Sequence, residues 1–521
     1  MLAPIVTLSS GPVLQRARAS CERHGLALSL ALACAARVPG LGRAPLSLDE
    51  AWTWQRTDEI VRIGGLWRTL GLDAPLFGAI NVLVAKIAGL SVLGLRGTQA
   101  LFGVASVSLV FVLVRRRYGA GLALPVALLA AWSPYLAFYS KDASPYSQLL
   151  FFGLLFTCAF EATRVWRPLS RRLTLSVCAA LAVTSHYCAI VYLATFYAAT
   201  LAAHRWAGRR DELRADLMTG GFCVLAISPY LIGLLLGLGR SSVPYWQVSD
   251  VSLPGILAEQ FLFLGTTLPH GGVFAAILNL LVFGLLVLPL LDALRRRSEL
   301  VAGEPVLSSL WWLAPGMVGG LGILIGQDLL FHPRGFIPTA PFLLAYWVLF
   351  TGALSGPSWA RRVYVAALLV PFILSGYLVA TVHPAQAYYR GRESLAEVVR
   401  QLEVHRSEWD LILVHHWWVA PYFTYYYVDR SNVWALGRDS PGSSGALRDV
   451  DRVPPRSRVL LVLNDVARSS DPGGSVVAAL MSRRSLLREL PCPGDAGSGR
   501  GLVCNRMLLF GPAHPIRSDP P

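Results

Sequence analysis

The apolar residues of this chain come in a succession of separate runs, each roughly 17 to 23 residues long, the length needed to cross about 30 Å of hydrocarbon at about 1.5 Å per residue. Runs of that length between short polar stretches restrict the chain to a bundle of membrane-crossing helices. Composition agrees: of 521 residues, 54% are hydrophobic and only 15% charged. A soluble protein of this size could not cover its surface with so little polar side chain.

The formal net charge of +15 raises the question of nucleic acid. The arginines, however, stand in short clusters between apolar runs and form no continuous basic face. The clusters are Arg16/Arg18/Arg23, Arg115/Arg116/Arg117, Arg164/Arg167/Arg171/Arg172, Arg205/Arg209/Arg210/Arg214, Arg295/Arg296/Arg297 and Arg361/Arg362. They read as topology signals, and the positive-inside rule puts all of them in the cytoplasm. No nucleic-acid partner is expected. The spans between them are 24 to 41, 98 to 114, 120 to 138, 146 to 163, 173 to 185, 187 to 203, 217 to 238, 271 to 293, 309 to 328, 336 to 354 and 363 to 382. This all-α reading has about eleven transmembrane helices, the N-terminus inside and the C-terminus outside. The apolar run from Ala74 to Leu93 is left over, because a full crossing there would move every later arginine cluster to the wrong side. It is expected to lie in the interface or dip part way. The first run has basic residues before it and small residues at Ala33 and Ala35. A cleaved signal peptide fits that pattern, but a signal anchor also tethers the loop that follows.

Two domains follow: residues 1–384 in the membrane, and an extracytoplasmic α/β domain over 385–521. After Ala385 charges become frequent and apolar runs shrink to strand length, in DLILVHH and RVLLVLND. These look like buried parallel strands, with helical periodicity in SLAEVVRQLEVHR and SVVAALMSRR. Six cysteines lie in or beside apolar runs, where a thiol acts as a small hydrophobe. Cys492 and Cys504 instead flank the turn PGDAGSGRG. In an oxidising compartment they are expected to form a disulfide pinning a hairpin. HHWWVAPYFTYYYVDR is aromatic enough to stack on sugar rings, and a buried aromatic face against the membrane domain explains it equally well.

The candidate chemistry lies in the outside loops. Asp49 and Glu50 follow the first span directly, in LSLDEAWTW, and Asp73 precedes Pro75. Helix capping accounts for acids in such places. A carboxylate beside lipid can also take a proton from a hydroxyl nucleophile, and these three share one loop expected to hug the bilayer surface. Lys141, Asp142 and Tyr146 stand at the mouth of a span, where Lys141 could simply snorkel. His186 occupies an outer turn between two tightly spaced spans. Arg334 sits outside, against the positive-inside trend, and a guanidinium at headgroup level suits a phosphate. Arg96 is similarly placed. Together these groups could take a proton and hold a phosphate, which is equipment for transferring a group from a lipid phosphate. Three acids in one loop also permit a divalent metal ion without demanding one.

LSLDEAWTW, DAPLFG, LRGTQALFGV, YSKDASPYS, SHY and PRGFIPTAPFLL, in this order over residues 25 to 355, resemble the landmarks of the GT-C glycosyltransferases. The similar types are the dolichyl-phosphate-mannose protein mannosyltransferases and the lipid A aminoarabinose transferases. The resemblance implies a GT-C membrane domain with juxtamembrane helices in its first outside loop. It implies transfer of a sugar from a polyprenyl-phosphate carrier to a lipid, glycan or protein acceptor at the outer face of the bacterial inner membrane. By resemblance Asp49 matches the acid that acts as base, Glu50 its neighbour, and Asp73 the acid of an Asp-x-Pro-Pro-Leu type segment. Arg96 matches the arginine opening the next span, and Arg334 an arginine near the carrier phosphate. Two positions depart from the pattern: Ala74 replaces the first of the paired prolines, and Ser144 stands where an arginine is usual. Two other classes remain open: a flippase of lipid-linked saccharide, and a surface-polysaccharide polymerase or ligase using a diphosphate-linked donor. Against transport, the acids cluster in outside loops and no repeat is evident.

Overall fold

A computed structural model of the chain describes residues 12–42, 46–65, 68–69, 74–206, 208–238, 337–353, 358–381, 393–415, 420–427, 430–437, 443–464, 471, 473–490 and 504–513. It divides into two compact units. One takes the described residues up to 42, from 64 to 238 and from 337 to 381, and the other takes 46–63 and those from 393 onward.

The first unit is helical: α1 (Pro12–Arg37), α3 (Pro75–Ala88), α4 (Val92–Tyr118), α5 (Ala120–Trp132), α6 (Pro134–Lys141), α7 (Tyr146–Ala162), α8 (Pro168–Ser185), α9 (Ala189–Trp206), α10 (Arg210–Leu238), α11 (Ala340–Ala353) and α12 (Ser358–Thr381). Each expected span from 24 to 238 and from 336 to 382 has its helix. The expected spans 271 to 293 and 309 to 328 lie outside the described residues. By length and composition Val92–Tyr118, Arg210–Gly233 and Arg362–Thr381 can each cross a membrane. Their exposed side chains include Leu101, Leu225 and Val370, which suits hydrocarbon and not water. The left-over run forms α3, whose 14 residues reach only about 21 Å, too short for a crossing.

One span departs from its expected form. The run 120 to 138 is broken into α5 and α6, bent by 50°. The cause is Ser133-Pro134: proline has no N–H to continue α5 but suits the first turn of a new helix, and Ser133 Oγ caps that helix by accepting from Leu136 N at 3.3 Å. Farther along, α8, α9 and α10 are joined through Asp216. It accepts from Arg171 at 2.7 Å and lies 3.0 Å from His204 Nε2.

The second unit is a small α/β body. Its elements are α2 (Leu48–Ile63), α13 (Glu393–Val404), β1 (Leu411–His415), α14 (Ala420–Tyr426), β2 (Val433–Ala435), α15 (Ser443–Asp451), β3 (Val459–Asn464), α16 (Ser475–Arg483), β4 (Arg484–Leu490) and β5 (Cys504–Ala513). The sheet order is β2-β1-β3-β5-β4. β1 runs parallel to β2 and β3, pairing Leu413 with Trp434 and with Leu461. β5 runs antiparallel to β3 and β4. Every residue of β1 is buried, as expected for a parallel strand covered on both faces. Leu411, Leu413, Val459 and Leu461 form a core with Val450 of α15 and Leu480 of α16. The β4/β5 pair flanks the turn predicted between Cys492 and Cys504. The expected disulfide lies outside the described residues.

The first-loop helix α2 belongs to this second unit, although the sequence reading assigned its residues to the membrane domain. Tyr426 of α14 accepts from the Leu46 backbone N–H at 2.8 Å, and Tyr425 meets Trp54 edge to face at 4.9 Å between ring centroids. Tyr427 accepts from Trp409 Nε1 at 3.2 Å. These tyrosines of the aromatic stretch pack within the α/β body.

Candidate functional site

α2 begins with a reciprocal capping box. The Ser47 hydroxyl accepts from Glu50 N at 3.2 Å, and the Glu50 carboxylate accepts from Ser47 N at 2.6 Å. This Ser-x-x-Glu pattern satisfies backbone donors that a helix start leaves without partners. Glu50 is therefore buried and engaged at the cap. Asp49, at the second helical position, is half-buried. Asp73 lies outside the described residues, and so does Arg334.

In the membrane unit, two of the basic residues singled out in the sequence are buried and hold backbone carbonyls. The Lys141 ammonium donates to the carbonyls of Val379 and Ala380, both at 3.0 Å, in the last turn of α12. Carbonyls there lack intrahelical donors, so a buried lysine is a natural cap, and the snorkelling account of Lys141 does not apply. Arg96, fully buried on α4, donates to the Leu41 carbonyl at 2.9 Å. Asp142 directly follows α6 and is also buried.

Tyr146 and His186 are brought together. Their ring centroids lie 5.3 Å apart, and Tyr139 meets Tyr146 at 5.2 Å. His186 Nδ1 accepts from Cys188 N at 3.1 Å, which fixes the ring in its turn. The group is an aromatic wall at the N-terminal end of α7.

Sequence reasoning missed Arg37. It is fully buried at the end of α1 and donates to the Ala131 carbonyl at 2.6 Å, the Ala130 carbonyl at 3.2 Å and Ser140 Oγ at 3.2 Å. The two carbonyls are those freed by the break between α5 and α6. The signal was present in an arginine closing an apolar run, but it read as the edge of the span. Gly103 of α4 lets α6 approach this group, since a Cβ there would lie 2.1 Å from Ser140 Oγ.

Buried amides at the same end of the bundle were missed too. Gln99 on α4 and Gln148 on α7 are fully buried, and neither side-chain amide has a hydrogen-bond partner among the described residues. Ser144 Oγ shares that condition. Phe102 packs on Phe151 and Phe152 at 5.3 and 5.7 Å. Gln99 and Gln148 each stand one turn N-terminal to that contact, near Arg96 and Tyr146 in sequence. No group of three or more potential metal-binding His, Cys, Asp or Glu side chains gathers among the described residues.

The chain shares its fold with solved structures at low sequence identity. It matches ArnT, the lipid A aminoarabinose transferase, from Cupriavidus metallidurans in the apo state with a TM-score of 0.56 at 14% identity, over 93% of this chain and 96% of that one. The same protein bound to undecaprenyl phosphate matches with a TM-score of 0.54 at 14% identity, over 96% and 98%. The archaeal oligosaccharyltransferase AglB from Archaeoglobus fulgidus, in complex with an inhibitory peptide and a dolichol-phosphate, aligns at 12% identity over 94% and 76%, with a TM-score of 0.49. No protein-family model matches the sequence, and no curated protein does.

Proposed function

We propose that this protein is a membrane glycosyltransferase that takes a sugar from a polyprenyl-phosphate donor and places it on a lipid, glycan or protein acceptor at the outer face of the bacterial inner membrane. The observation that carries this reading is a fold shared along nearly the whole of both chains with ArnT bound to undecaprenyl phosphate. In this reading Asp49 is the general base. Its carboxylate takes the proton of the acceptor hydroxyl as that oxygen attacks the anomeric carbon. The bond from that carbon to the phosphate oxygen breaks, and the lipid monophosphate leaves with the electron pair. Arg334 holds the growing charge, assisted by Lys141 or Arg96. No general acid is needed, because a phosphomonoester leaves readily once its charge is held.

Glu50 keeps α2 in register through the capping box, and Asp73 orients the acceptor or holds a divalent ion. Asp142, Tyr146 and His186 line the sugar. The test supplies purified protein with a panel of radiolabelled polyprenyl-phosphate sugars and membrane extract. Transfer is expected from one donor, reduced at least about a hundredfold in Asp49→Asn. Equal transfer by both forms removes Asp49 from its role. A donor moved across the bilayer with its glycosyl bond intact would instead mark a flippase, and activity only with a diphosphate-linked donor a polymerase or ligase.

A further inference from the structure

The membrane unit contains an apolar cavity of about 560 Å³ between α1, α5, α11 and α12. Its walls include Leu32, Leu128, Trp132, Trp347, Leu369 and Phe372. Along α5 it runs from Pro125 to Trp132, and along α12 from Val365 to Ile373, a length of about 12 Å. Trp132 stands at one end. Its indole donates to the Ile373 carbonyl at 3.1 Å and fills the notch at Gly376, where a Cβ would lie 2.5 Å from the indole nitrogen.

The other end is cationic. Arg362, one turn before Val365 on α12, is exposed, and so are Arg115 and Arg116, which end α4 just before the Gly119 turn into α5. Trp359, 67% exposed in the first turn of α12, is the kind of side chain that settles at a membrane interface. Lys141 binds the last turn of α12, the end of that helix away from Arg362.

We infer that this cavity holds one acyl chain of an anionic phospholipid, with the headgroup phosphate at Arg362 and the Arg115/Arg116 pair. An apolar slot beside helix ends that carry exposed arginines matches such a molecule in chemistry and charge. Polar solvent finds no hydrogen-bonding wall inside, and in a bilayer the available apolar solvent is lipid chain.

The experiment uses the full-length protein, delipidated in detergent and titrated with phosphatidylglycerol or phosphatidylcholine of identical chains. Bound lipid is counted by native mass spectrometry, and the unfolding midpoint is recorded in parallel. One phosphatidylglycerol is expected to be retained and to raise the midpoint. Leu369→Trp, which fills the slot, is expected to cut affinity at least tenfold, and Val348→Phe serves if that variant does not fold. Arg362→Ala is expected to weaken phosphatidylglycerol about fivefold and leave phosphatidylcholine unchanged. Equal affinity for the two headgroups overturns the headgroup assignment, and unchanged binding to both filled variants overturns the cavity assignment. Displacement of phosphatidylglycerol by undecaprenyl phosphate gives the cavity to a polyprenyl tail and overturns the proposal also.

Discussion

The Arg37 guanidinium donates to the Ala131 carbonyl over 2.6 Å, tying the end of the first helix to the break between α5 and α6. Without that donor the carbonyls freed by Ser133-Pro134 would sit buried and unmatched, at a cost of about 1–3 kcal/mol each. The bend is therefore secured from outside its own helix. Arg37→Met is expected to lower thermal stability in detergent by about that amount, with Arg37→Lys losing less. An unfolding curve unchanged in Arg37→Met would show that other donors reach these carbonyls.

Gly103→Ala probes the same junction from the α4 side. The new methyl would lie 2.6 Å from Ser140 Cβ, which cannot rotate away. A loss of about 1–3 kcal/mol is expected. Adding Ser140→Gly removes the clash and should recover the portion due to crowding, read as a non-additive double-mutant cycle. Strict additivity would rule out the proposed contact.

At the start of α2, Ser47→Ala removes one half of the capping box and should destabilise the helix by about 0.5–2 kcal/mol. Hydrogen exchange of the amides at Glu50 and Ala51 reports it directly. Glu50→Gln keeps an acceptor for the Ser47 N–H and is expected to exchange more slowly than Glu50→Ala. Transfer activity should survive Glu50→Gln far better than Asp49→Asn.

The α/β body should weaken in acid. Burial holds the His415 imidazole below its ordinary value of 6.5, and the facing Asp471 only partly opposes this. A lowered imidazole means that the unfolded chain binds the proton more readily, so stability present at neutral pH is lost as pH falls below 6.5. Asp410 adds to the loss in stronger acid. The Arg458 backbone N–H and guanidinium hold its carboxyl below 3.8, and protonation removes that advantage. Urea unfolding followed at Trp409 and Trp434 should show a falling midpoint from pH 7 to 5, and His415→Gln should flatten it. A slope that persists in that variant would assign the effect to other groups.

Periodicity and charge made the helices of the membrane unit legible. The predicted span 146 to 163 is α7 at Tyr146–Ala162, and arginines mark its following turn. The parallel strands at Leu411–His415 and Val459–Asn464 were equally plain, because strands covered on both faces read as unbroken apolar runs. β2 was not, since three residues at Val433–Ala435 carry too little pattern. The α5/α6 break could have been read from Ser133-Pro134, but hydropathy averages over it. At the candidate site, residue types were legible while their partners were not: Lys141 meets Val379 and Ala380 more than 230 positions away.

The bond between the Leu46 N–H and the Tyr426 hydroxyl joins positions 380 apart in the chain. A ribosome delivers the first loop long before it delivers α14. Throughout membrane insertion, α2 and Asp49 must wait without the surface that will receive them, so assembly of the loop bearing the proposed base is among the last events of biogenesis.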